Sequence, residues 1–131
     1  MKKITLNKKY FKFLFFATAI IIFILAIVNN DHIFLDSYYA DKIKHITAFF
    51  VLSLLLNRSS SNIEKRLRNM LALLLFGILI EFVQHFLPNR DASRADILAD
   101  FVGIVLFQVT YSFLKFIQQW RIKRKKQSKS L

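Results

Sequence analysis

The chain has no cysteine, one proline and two glycines among 131 residues. Without cysteine there is no disulfide framework, no thiolate metal site and no cysteine nucleophile. With so little glycine and proline, long stretches contain no residue that breaks a helix. Acids are scarce as well: eight Asp and Glu stand against 20 Lys and Arg, for a net charge of +12 and a pI of about 10.2. What the chain does have is hydrophobic residues, 55% of the total, with 15 Phe among them. That apolar content excludes a disordered basic protein. Fifteen Phe are too many for one small aqueous core, which argues against an ordinary soluble enzyme. Apolar and basic residues must therefore occupy separate blocks, as they do in a membrane protein.

Four apolar stretches are visible: Phe11–Val28, Tyr38–Leu56, Asn69–Leu87 and Ile97–Phe113. At about 1.5 Å rise per residue each is roughly 26–28 Å long, close to the ~30 Å hydrocarbon core of a bilayer. The runs are continuous rather than alternating and longer than a strand, so they read as helices that satisfy their own backbone hydrogen bonds. The second and fourth have short uncharged cores and are the candidates for tilted or re-entrant elements. Lys2, Lys3, Lys8 and Lys9 precede the first stretch, as in a signal peptide. However, the run is long for one and no small-x-small pair follows, so a retained signal-anchor helix is expected. The expected fold is all-α, an integral membrane bundle of four transmembrane helices. Residues 1–116 form the membrane domain and 117–131 a basic cytoplasmic tail.

Charge sets the expected orientation. With the N-terminus inside, the inner segments sum to +15 and the outer ones to −3. The positive-inside rule then puts both termini in the cytoplasm, in a cytoplasmic (inner) membrane. The same partition explains the high pI without nucleic acid, and no nucleic-acid partner is expected. The tail Arg121–Lys126 is suited to anionic membrane lipid.

Polar residues collect at the outer end of the predicted spans, where an ionisable side chain is costly and marks a site by default. Asp41, Lys42, Lys44 and His45 open the second helix, with Asp41 and His45 four apart on one face. Glu81, Gln84 and His85 close the third, and Gly77 shares their face. Glu81 lies about 9 Å from that helix end at 1.5 Å per residue. After Pro88 come Arg90, Ser93, Asp96, Asp100 and Gly103. Ser93 with Asp96 fits an S-x-x-D helix start, and Asp96, Asp100 and Gly103 share a face at i, i+4 and i+7. The two glycines are the expected points of close helix packing.

The pattern Asp41-Lys42-x-x-His45, Glu81-x-x-Gln84, Pro88-x-Arg90-x-x-Ser93-x-x-Asp96-x-x-x-Asp100-x-x-Gly103 resembles the VanZ-like family. These are small polytopic membrane proteins named for a member linked to teicoplanin resistance. The resemblance covers about Tyr38 to Gly103. It departs at Asp100, where the family usually has Asn. It implies a place in the bacterial cell envelope and an effect on antibiotic susceptibility, and it brings no defined reaction.

Asp41, Lys42, His45, Glu81, Gln84, Arg90, Ser93, Asp96 and Asp100 are thus the candidate functional cluster. The leading reading is a protein that binds or remodels a lipid or lipid-linked cell-wall-precursor head group, with Arg90 as a bidentate phosphate or carboxylate clamp. One alternative is an acid/base enzyme, with Glu81 or Asp96 as base and His45 as proton shuttle. Another is a scaffold of an envelope complex. No H-E-x-x-H or comparable spacing supports a metal, and no cofactor is expected. Thr18, Ser53 and Gln108 are the notable polar residues deeper in the spans, too sparse for an ion path.

Overall fold

The computed structural model describes residues 7–28, 38–59, 63–88 and 92–131. They form four helices: α1 Lys8–Ile27, α2 Tyr38–Ser59, α3 Ile63–His85 and α4 Arg94–Lys129. Asn7 caps α1 by accepting from the Lys9 amide. The end of α3 tightens into short turns, Phe86 N–H to Val83 O and Leu87 N–H to Gln84 O, before Pro88 stops the helix. Ser93 caps α4, its hydroxyl accepting from the Ala95 amide at 3.2 Å.

Residue pairs give the topology. Lys42 meets Asp96, His45 meets Asp100, and Phe50 meets Phe107, so α2 and α4 run parallel. Arg66 meets Gln108 while Glu81 meets Ser93, so α3 runs antiparallel to α4. Phe23 packs near Phe76, and Gln84 reaches the Ala26 carbonyl, so α1 is parallel to α3. The chain is an up-down-up-down bundle. Its dry centre is Phe49, Leu52, Leu73, Ile80 and Ile104.

The exterior is strongly apolar. Phe13, Phe16, Leu71, Leu75, Phe82 and Val109 are all exposed, on three different helices. An apolar surface of that extent does not suit water and does suit lipid. Helices α1, α3 and α4 are long and apolar enough to cross a membrane. Helix α2 differs in composition: every 18-residue stretch of it holds three or more of Asp41, Lys42, Lys44 and Arg58. It compensates by position, because α1, α3 and α4 all pack against it and bury Phe49 and Leu52. The two segments with short uncharged cores, α2 and α4, are unbroken helices.

Helix α4 is the largest departure from the expected boundaries. Its 36 residues extend from Arg94 to Lys129, about 54 Å at 1.5 Å per residue. The last sixteen or so residues project beyond any bilayer-thick layer that holds its first half. The division expected between residues 116 and 117 falls inside this continuous helix, so the basic tail is its extension. Arg124 stacks on Trp120 there, 4.7 Å from the ring centre.

Candidate functional site

The start of α2, the end of α3 and the start of α4 meet at one end of the bundle. Two rungs tie α2 to α4. In the first, the Lys42 ammonium bonds the Asp96 carboxylate and lies 3.6 Å from Asp41. In the second, His45 Nδ1 lies 2.7 Å from Asp100 Oδ1. The spacing explains the match: Lys42 and His45 are three apart, Asp96 and Asp100 four apart, and each pair lies on one helix face. Asp96 and Asp100 are buried, and Asp100 has no exposed surface at all. Asp41 is half exposed, at the rim.

Helix α3 closes the cluster. Glu81 is buried, and its Oε2 accepts from the Ser93 backbone N–H at 3.0 Å. In a one-helix capping box Asp96 would do this. Here the acid comes from α3, and Asp96 turns to Lys42 instead. The S-x-x-D signal therefore marks the helix start correctly but misassigns its second partner. Gly77, one turn below Glu81, makes room for Asp100: a Cβ at Gly77 would lie 2.5 Å from Asp100 Oδ2. Gly103 sits against α2, where a Cβ would collide with the Ile46 carbonyl.

Other candidates fall elsewhere. Gln84 is buried but donates to the Ala26 carbonyl at 3.0 Å, linking α3 to α1. His85 is exposed against the edge of Phe86. Arg90 lies outside the described residues, as does the Asn29–Ser37 loop.

The acids outnumber the cations here. Asp41, Asp96, Asp100 and Glu81 surround Lys42 and His45. Two buried carboxylate oxygens, Glu81 Oε1 and Asp100 Oδ2, have no hydrogen-bond partner among the described residues. Each of these two oxygens retains the capacity to accept a hydrogen bond. Ligand atoms of Asp41, His45 and Asp96 also lie within 4.8 Å of one another, close enough for a metal ion. Lys42 already rests against Asp96, so a cation entering there must displace the ammonium.

At the far end of the bundle Ser53 and Gln108, which in the sequence stood as isolated polar positions, are joined by Asn57, Arg66 and Tyr111, which sequence reasoning missed. Arg66 donates to Gln108 at 2.5 Å and stacks on Tyr111, and Asn57 and Ser53 lie nearby on α2. The signal was present: Ser53 and Asn57 are four apart, and Gln108, Tyr111 and Lys115 follow a helical stripe.

Comparison with protein-family models, curated proteins and solved structures finds no match to this chain.

Proposed function

We propose that this is a VanZ-like envelope protein whose acidic cluster binds a lipid or lipid-linked cell-wall-precursor head group at the outer leaflet, with both termini in the cytoplasm. The observation that carries the reading is the pair of buried carboxylate oxygens, on Glu81 and Asp100, without partners among the described residues. A half-satisfied buried network costs stability, and these two oxygens are free to accept from a ligand's donors. The composition of the cluster selects the part of the head group it takes. Ammonium and hydroxyl groups suit Glu81 and Asp100; a phosphate would need the Arg90 guanidinium. An effect on teicoplanin susceptibility would then be indirect, through the composition of the envelope.

A second reading, a membrane-embedded acid/base enzyme on a lipid-linked substrate, is supported by the His45–Asp100 contact. Asp100 accepting from Nδ1–H leaves the neutral imidazole with a lone pair on Nε2, the arrangement of an oriented general base.

The test is Glu81→Gln in a strain whose own copy is deleted. Gln keeps the acceptor for the Ser93 amide and removes a buried charge, so protein abundance should equal wild type. Susceptibility to envelope-directed antibiotics should match the deletion strain. Wild-type susceptibility at equal abundance would sink the site and favour the scaffold. Arg90→Lys offers a parallel check: a point charge does not replace a bidentate fork, so function should fall with abundance intact.

A further inference from the structure

Helix α4 outruns the bundle that holds its first half. Its buried residues end at Phe107, and its last described contacts with α3 are Gln108 and Tyr111, both to Arg66. From Ser112 to Leu131 every residue is exposed except Ile117, which is partly covered. This length is not polar throughout. Phe113, Phe116 and Trp120 are each more than half exposed. Apolar rings gathered beyond the bundle mark a surface that something covers.

The rings are ordered. Phe113, Phe116, Ile117 and Trp120 fall on one stripe of α4, at i, i+3, i+4 and i+7. Arg124 continues the stripe and stacks on Trp120, 4.7 Å from the ring centre. By the same 3.6-residue turn, Arg121 and Lys123 lie about 80° to either side of it, and Lys126 and Lys129 lie on the opposite face. No acid follows Asp100, so nothing on this length offsets the basic residues between Arg121 and Lys129. No glycine follows Gly103 and no proline follows Pro88, and one uninterrupted helix carries the whole face.

The occupant must offer an apolar layer first and negative charge next, in that order from Phe113 to Arg124. The boundary of an anionic bilayer does so. Acyl chains take the phenyl rings, an indole sits at head-group level, and the long stems of the flanking cations let them reach phosphates. A second copy of this face would bring like charges against it. A nucleic acid offers phosphates without an apolar layer.

We propose that the stripe from Phe113 to Trp120, with Arg121, Lys123 and Arg124 at its end, docks on the anionic head-group layer of the bilayer that α4 crosses. Helix α4 then leaves the membrane at a slant, with Lys126 and Lys129 toward water. The basic tail is thereby divided: Arg121, Lys123 and Arg124 belong to the docking face, and Lys125 and Lys126 turn away from it. The docking does not depend on the acidic cluster or on which leaflet this end faces.

Trp120 is the only tryptophan of the chain and reports the docking directly. The test reconstitutes the full chain in nanodiscs of phosphatidylcholine alone and of phosphatidylcholine with phosphatidylglycerol, and reads acrylamide quenching of Trp120. At low salt quenching should be about twofold weaker in the anionic discs, and the difference should vanish in about 1 M salt, where charges are screened within a few ångströms. Arg121→Gln with Lys123→Gln should remove most of the lipid dependence. Lys126→Gln with Lys129→Gln removes the same charge from the opposite face and should keep most of it. Arg124 is left in place because it touches the reporting ring. The four substituted side chains are exposed and Gln is a good helix former, so folding is not in question. Equal quenching in the two lipids, or equal losses in the two double variants, overturns the proposal. Reversal of the anionic-lipid effect by a DNA duplex at matched phosphate concentration overturns it too, because it assigns the cations to a soluble polyanion.

Discussion

His45 and Asp100 face each other across α2 and α4, Nδ1 to Oδ1 at 2.7 Å, with the carboxylate wholly enclosed. Neither residue is near the other in sequence, and neither is at home in a membrane helix. Each makes the other tolerable: the imidazole donates one hydrogen bond, and the carboxylate fixes the ring.

Asp100→Asn should be nearly neutral for stability. The amide oxygen still accepts from His45 Nδ1–H, and a buried charge is removed. Asp100→Leu strands that N–H and should cost about 1–3 kcal/mol. Thermal unfolding of the two variants in the same detergent, followed by fluorescence, checks the difference. Equal losses would show that the His45 contact contributes nothing.

Lys42 and Asp96 form the second rung, with side chains 15% and 4% exposed. Lys42→Met alone should destabilise by about 3 kcal/mol or more, because it leaves Asp96 charged and buried. Lys42→Met with Asp96→Leu should recover most of that loss. A double-mutant cycle measures it. A double variant as unstable as the sum of the two singles would mean that the residues do not interact.

The glycines should differ in their response to alanine. At Gly103 the new methyl meets the Ile46 backbone carbonyl, which can yield only by moving α2. At Gly77 it meets the tip of the Asp100 side chain. Gly103→Ala should therefore cost about 1–3 kcal/mol and Gly77→Ala less. Melting temperatures rank them, and the reverse order would contradict the packing described.

Orientation is open to reporter fusion. Fusions at Leu131 and within 60–62 should report the cytoplasm, and fusions within 29–37 the opposite side, given the +15 and −3 partition. An active cytoplasmic-type reporter in the 29–37 loop would reverse the assignment.

The helices were legible in the residues themselves. Continuous apolar runs of bilayer length, with almost no glycine or proline, permit little else. Ser93 marked a helix start correctly, because capping depends on residues within one turn. The end of α4 was not legible by hydropathy: the run stops near Phe113, but Gln, Arg and Lys are good helix formers, so the helix continues to Lys129. Face periodicity also brought out His45, Glu81, Asp96 and Asp100 as residues needing partners. It did not say which partners, because helix faces give angles and the pairings depend on how three helices are registered against one another. Only the packed bundle turned Glu81 toward the Ser93 amide, Asp96 toward Lys42 and Gln84 away toward α1. The Arg66–Gln108 cluster was decided in the same way: its residues look like scattered polar positions until α2, α3 and α4 close around them.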